Sequence, residues 1–260
     1  MFYDKRVFDA AAQSGGDFGD LPEWDLSDLY SSETAPELAR DLEWLNSACV
    51  DFANDFEGNL ASLDSTEMLD AVHRYEQIDL ITGRIMSFAG LRYYQLTIDP
   101  NRAKFMSDIQ DKITVSTTPL VFFSLEFNRL DEANLAALCA QNTDLARYTP
   151  VFKRMRAMKP YQLSDELEKF LHDQSVVGTA AWNRLFDETV AGLVFVIEGD
   201  KLPLEAAANK LSDQNRDTRE AAAREIAAVL GNNIGLFARV HNTIAKEKEI
   251  EDRWRKMPTP

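Results

Sequence analysis

The chain has 260 residues, 45% of them apolar and 10% aromatic, which is enough to bury a sizeable core and excludes disorder over most of its length. Asp and Glu number 43 against 28 Lys and Arg, a net charge of −15. Phosphate neutralisation needs cations, so this balance argues against nucleic-acid partners and against anionic membrane surfaces. The N-terminus Met1-Phe2-Tyr3-Asp4-Lys5-Arg6 has no apolar signal-peptide core. Apolar runs such as Leu193–Ile197 and Pro119–Phe123 are too short to span a bilayer, so the sequence predicts a soluble, cytoplasmic protein.

Residues 1–22 read as a flexible, acidic lead-in around Ser14-Gly15-Gly16-Asp17-Phe18-Gly19-Asp20, with structure beginning near Trp24–Tyr30. Leu38, Leu42, Leu45, Cys49, Phe52 and Phe56 recur at spacings of four and three and share one helical face, which Gly58 ends. Ser65 or Thr66 is the expected cap of a second helix running to about Leu96, with Glu67 favouring its dipole and Gly83 and Gly90 weakening it locally. Asp99-Pro100 starts a third helix to about Leu130 that Pro119 kinks or splits. A short helix follows at Asp131–Ala140, and Tyr148-Thr149-Pro150 opens one that stops before Pro160. Ser164 is expected to cap a long helix reaching about Val190.

Then the period changes. Leu193-Val194-Phe195-Val196-Ile197 is β-branched and aromatic, and Glu198-Gly199-Asp200-Lys201 is a turn signal, so a small β-hairpin or strand element is predicted near residues 193–202. Pro203 starts another helix, Ser212 or Asp213 precedes one more, and two helices over roughly 216–231 and 234–256 follow. The expected fold is mostly α, a multi-helix array with one small β element. No pattern returns at a fixed interval, which disfavours a solenoid. Three stretches are expected: the lead-in 1–22, an N-terminal helical region 23–146, and a helical region with the β element over 147–260.

The search for chemistry is mostly negative. His73, His172 and His241 form no HExxH and no ExxH pair, and His73-x-x-Glu76 offers two ligands where metal sites usually need three or four. There is no GxSxG, GxGxxG or phosphate-binding loop. Cys49 and Cys139 lie in apolar helical patterns, in no CxxC, and read as buried free thiols, although a distant His partner is open. The basic cluster Lys153-Arg154-Met155-Arg156-Ala157-Met158-Lys159 has two readings. It anchors a carboxylate, such as a peptide C-terminus, or it is a helix C-terminal turn whose cations favour the dipole, the more ordinary reading. Lys246–Lys256 is a charged helix with i,i+3 and i,i+4 pairs, a solvated face or the border of a groove. Residue chemistry therefore identifies no catalytic residue and no metal ligand.

The order of several segments nevertheless resembles oligoendopeptidase F-type proteins of the M3 family of zinc metallopeptidases. Trp24-Asp25-Leu26-Ser27-Asp28-Leu29-Tyr30 resembles their opening, as does Tyr148-Thr149-Pro150 followed by Leu163-Ser164-Asp165-Glu166-Leu167-Glu168. Trp182–Thr189 leading into the strand, Asp217–Ala222 and Lys248–Arg253 are similar in turn. The resemblance implies a helical N-terminal region with a small β element that forms one wall of a deep channel admitting short peptides. It also implies a catalytic half with HExxH and a downstream glutamate, where zinc lowers the pKa of a bound water and the HExxH glutamate is the general base.

No position here matches HExxH, so no metal ligand carries over. The resemblance thus describes the non-catalytic N-terminal part of a cytoplasmic zinc oligopeptidase, inactive alone and binding no zinc itself, truncated before its missing C-terminal catalytic domain, with Pro258-Thr259-Pro260 as the connector. Peptide-facing candidates are Tyr148, Lys153, Arg154 and Arg156 within Tyr148–Lys159, or the last helix. The alternative is a stand-alone helical module that binds peptides or a partner protein without chemistry. An apolar docking face, and self-association of the isolated chain, are further expectations.

Overall fold

The computed structural model describes residues 24–258. The lead-in 1–22 and Thr259-Pro260 of the connector lie outside the described residues. The chain is mostly helical, as its periodicity indicates. In order it forms α1 (Pro36–Phe56), α2 (Ser65–Gln95), α3 (Pro100–Thr117), α4 (Val121–Arg129), α5 (Glu132–Gln141), the single turn α6 (Thr143–Ala146), α7 (Thr149–Arg156), α8 (Asp165–Gln174) and α9 (Thr179–Ala191). The hairpin strands β1 (Phe195–Ile197) and β2 (Asp200–Leu202) follow, then α10 (Leu204–Asn209), α11 (Arg216–Asn232) and α12 (Ile234–Arg255).

These elements fall into two compact units, described separately. The first gathers residues 26–93, 104–176 and 248–258. Its core grows from the apolar stripe of α1: Leu38, Leu45, Cys49, Phe52 and Phe56 are all buried, and Leu42 packs against them. The Phe52 ring is fully buried, with Phe56 at 4.9 Å, Phe123 at 5.3 Å, Phe122 at 5.8 Å and Tyr75 at 5.9 Å between centroids. Offset and edge contacts of this kind add to simple area burial. Gly58 stops α1 with φ of +83°, a value an L side chain rarely adopts.

The second unit gathers residues 24–25, 94–103 and 177–247. Its hairpin pairs Phe195 with Leu202 and Ile197 with Asp200. Glu198 and Gly199 both have positive φ, 54° and 95°, the geometry that lets a two-residue turn match the strand twist. Strand alternation buries Phe195 and Ile197 and exposes Val196. Those two side chains, with Leu202, close over Ala207 and Ala222 of α10 and α11. Side chains of α11 also hold the hairpin: Glu225 accepts from the Val196 N–H at 2.9 Å, and the Thr218 hydroxyl donates to Glu198 at 2.8 Å.

Several local expectations are corrected. The helix predicted from Ser164 to Val190 is two helices, α8 and α9, separated at Gly178. Two consecutive β-branched residues, Val176 and Val177, followed by glycine make this the weakest point of the stretch. Ser164 makes no side-chain cap; Glu168 instead reaches back to accept from the Leu163 N–H at 2.8 Å. The cap of α2 is Asp64 rather than Ser65 or Thr66. Its carboxylate accepts from the N–H groups of Thr66 and Glu67, while Glu67 accepts from the Asp64 N–H, a reciprocal capping box. The cap of α11 is Asn215, whose side-chain oxygen accepts from the Asp217 N–H at 2.9 Å. Pro119 does split the third predicted helix, leaving a 3₁₀ turn at Thr118–Leu120 between α3 and α4.

Candidate functional site

The four peptide-facing candidates divergently occupy their unit. Tyr148 precedes α7, and its hydroxyl donates to the Glu76 carboxylate on α2 at 2.8 Å. That bond, with some burial, raises the Tyr148 pKa above the usual phenol value. Arg156 donates to the carbonyls of Phe127 at 3.2 Å and Leu130 at 2.9 Å, so its cation seals the C-terminal end of α4. Lys153 is exposed. Arg154 alone among the four lines a described cavity.

That cavity, about 540 Å³, brings together four parts of the first unit. The α4 helix contributes Leu125 and Asn128, and the end of α7 and its exit contribute Arg154, Met155 and Met158. Gln162 and Glu168 come from the entry to α8 and from α8 itself. The last turns of α12, with Met257 just beyond, contribute Lys248, Glu251, Asp252 and Arg255. The two segments singled out from the sequence, Tyr148–Lys159 and the last helix, therefore share this cavity. Pro150 starts α7 at its N-terminus and Phe152 anchors it in the core, 4.7 Å from the Phe127 ring, which turns Met155 and its neighbours toward the cavity.

An ion network forms one wall. Arg255 donates to both oxygens of Glu168, at 2.6 and 2.9 Å, to Glu251 at 2.7 Å and to the Tyr161 carbonyl at 3.2 Å. Both Arg255 and Glu168 side chains are nearly closed off, 12% and 13% exposed. Burial alone would raise the Glu168 pKa, but the Arg255 guanidinium and the Leu163 N–H outweigh it and hold the carboxyl below its ordinary value. The same hydrogen bond raises the Arg255 pKa, so this pair stays charged.

Three further lining residues carry buried side-chain oxygens. Asn128 Oδ1, Gln162 Oε1 and Asp252 Oδ2 are buried without a hydrogen-bond partner. Asn128 and Asp252 are 5% and 8% exposed. An unmet buried acceptor costs about 1–3 kcal/mol. Asn128 and Gln162 also line a second cavity of about 500 Å³ that runs along Lys159 and Leu163–Glu166. Asp252 belongs to the first cavity alone of the two.

The implied zinc does not fit these residues. Among the described residues no group of three or more His, Cys, Asp or Glu could hold a metal ion. His73 faces the Tyr148 ring at 6.0 Å, and His172 Nε2 lies 3.1 Å from the Thr117 hydroxyl and 3.3 Å from the Thr114 carbonyl. Cys49 is a free thiol, fully buried, and burial pushes its pKa up to about 12, the opposite of an activated nucleophile. Cys139 is free and only partly buried, where the sequence pattern suggests full burial. No described helix is long and apolar enough to cross a membrane.

Of the cavity's polar members the sequence singles out Arg154 and the last helix, and it gives Glu168 and Gln162 no role. Glu168 figures in the sequence only within Leu163–Glu168, and Arg255 only within a charged helix that is a solvated face or the border of a groove. Asn128 did leave a signal, an amide directly after Phe122-Phe123-Ser124-Leu125-Glu126-Phe127, where apolar periodicity marks a core helix.

Comparison with known proteins agrees with the resemblance. Residues 126–195, which include α7, α8 and part of the cavity's lining, match the family model of the N-terminal region of M3 peptidases, described as oligopeptidase F. The chain therefore resembles the N-terminal region of an oligoendopeptidase F-type protein over that stretch, as its motifs indicate. Among solved structures, the crystal structure of oligoendopeptidase-F from Enterococcus faecium has the same fold, with a TM-score of 0.75 at 18% identity. The alignment covers 86% of this chain and 45% of that one, so the chain spans less than half the length of the solved relative. No curated protein matches significantly.

Proposed function

We propose that the chain acts as the N-terminal, non-catalytic region of a cytoplasmic zinc oligopeptidase that hydrolyses short peptides, and that α7 and the end of α12 face the channel admitting them. The observation that carries this reading is the family-model match over residues 126–195. The described residues do not suit zinc, so in this reading hydrolysis belongs to residues outside these 260. This chain contributes packing support and the polar lining of the cavity.

The test compares two proteins, the 260-residue chain and the same reading frame with its downstream segment. Bound zinc and cleavage of a quenched fluorescent peptide are measured on each. The expected result is no stoichiometric zinc and no cleavage by the 260 residues, and both in the extended protein if an HExxH segment follows. Zinc with cleavage by the 260 residues alone would overturn the reading. A frame that closes after Pro260, with peptide binding and no cleavage, would put a stand-alone binding module in its place. In an active extended protein Arg154→Ala should raise KM, because Arg154 lines the cavity while Tyr148 and Arg156 are engaged elsewhere. Unchanged KM and kcat would remove the channel-facing role of this region.

A further inference from the structure

We infer that the cavity between α4, the exit of α7 and the end of α12 takes the C-terminal residue of a peptide, its carboxylate on Arg154 and an apolar side chain among the methionines. The choice of a peptide rests on the peptidase reading above, and the choice of an apolar carboxylate rests on this cavity alone.

Charge pairing within the lining singles out Arg154. Lys248 is paired with Asp252, and Arg255 spends its donors on Glu168, Glu251 and the Tyr161 carbonyl. The three acids of the lining are thereby engaged. Arg156, two residues on, is committed to the carbonyls of Phe127 and Leu130. Among the described residues the Arg154 side chain has no hydrogen bond and no ion pair, so its N–H donors are unspent. A guanidinium presents those donors as a planar fork that matches a carboxylate bidentately.

Helix geometry sets an apolar surface beside that cation. Arg154 lies in the last turn of α7, and Ala157 at its end keeps helical angles, φ −59° and ψ −29°. Arg154 and Met158 are therefore i,i+4 neighbours on one side of the chain, roughly 5–6 Å apart at Cβ. Both line the cavity, with Leu125, Met155 and Met257. Unbranched, polarizable thioethers adapt to apolar side chains of different shape. The last residue of a peptide carries the complementary pair, a carboxylate and a side chain, on a single carbon. The net charge of −15 repels anions at long range, so selection for a carboxylate here comes from direct contact with Arg154.

Calorimetric titration of the 260-residue chain with acetyl-alanyl-leucine, its C-terminal amide, acetyl-alanyl-glycine and hexanoate tests the proposal. The leucine free acid should bind saturably and at least about tenfold more tightly than the amide, which has the same shape without the charge. The glycine acid, which lacks the side chain, should also bind at least about tenfold more weakly. Arg154→Ala should remove the preference for acid over amide. Arg154→Lys should restore part of it, because an ammonium keeps the charge without the fork. Arg154 is exposed, so both variants should melt with the parent chain, which separates a lost contact from a lost fold. Equal binding of acid and amide, a preference that survives Arg154→Ala, or no saturable binding would overturn the proposal. Hexanoate binding as tightly as the leucine acid would overturn the peptide assignment and leave a general site for apolar carboxylates. Zinc and cleavage are not read in this experiment, so its failure and the failure of the peptidase reading remain distinguishable.

Discussion

Replacing Glu168 by Gln tests how much the Arg255 network contributes to the first unit. The substitution removes the charge that meets both guanidinium nitrogens at 2.6 and 2.9 Å, in a pair 12% and 13% exposed. Stranding one partner of a buried ion pair costs 3–5 kcal/mol, and Glu251 with the Tyr161 carbonyl still holds Arg255, so the expected loss is about 3 kcal/mol. For a unit of this size that lowers the melting temperature by about 6–12 °C. The assay is thermal and urea unfolding followed by circular dichroism at pH 7, repeated down to pH 3. The Glu168 pKa is lower in the folded protein than the ordinary carboxylate value. The unfolded chain therefore binds its proton first as pH falls, so this contribution is complete above the unfolded value and lost as pH drops through the folded one. Glu168→Gln should show a shallower acid slope there than the parent chain. A variant within about 0.5 kcal/mol of the parent at pH 7, with the same acid slope, would refute the assignment of stability to this pair.

Phe52→Ala empties the centre of the aromatic cluster and should cost about 3–5 kcal/mol by urea unfolding; a loss under about 1 kcal/mol would mean the cluster repacks freely. Cys49 should resist a thiol reagent at pH 8 in the native chain while the partly buried Cys139 reacts faster, and both should react in denaturant. Rapid native labelling of Cys49 would contradict its burial. Gly199→Val places a β-branched side chain at φ of 95° and should destabilise the hairpin's unit by about 1–3 kcal/mol, read as a lower urea midpoint.

The elements that depend on local pattern were legible from the sequence. The α1 stripe, the split at Pro119 and the turn at Glu198-Gly199 each rest on a periodicity, a missing N–H or a backbone requirement that neighbouring residues state by themselves. Errors fell where near-equivalent local options compete. Asp64, Ser65 and Thr66 are all competent caps, and only the reciprocal bond with Glu67 selects Asp64. Val176-Val177-Gly178 interrupts a helix whose flanks are otherwise good formers, and propensity is too weak a guide to place that break.

The cavity was illegible for a different reason. Arg255 and Glu168 are separated by 87 positions, and each has an unremarkable local reading, one as the i+4 partner of Glu251 and one as a first-turn acid. Their role exists only once α8 and the end of α12 meet. The same holds for Asp252, whose i,i+4 partner Lys248 satisfies one oxygen and hides from the sequence that the other is buried and unmet. An i,i+4 pattern on a charged helix thus fixes half of each side chain's bonding, and tertiary packing decides the other half. On α12 that second half sets Asp252 and Arg255, both largely closed off, apart from an ordinary solvated face.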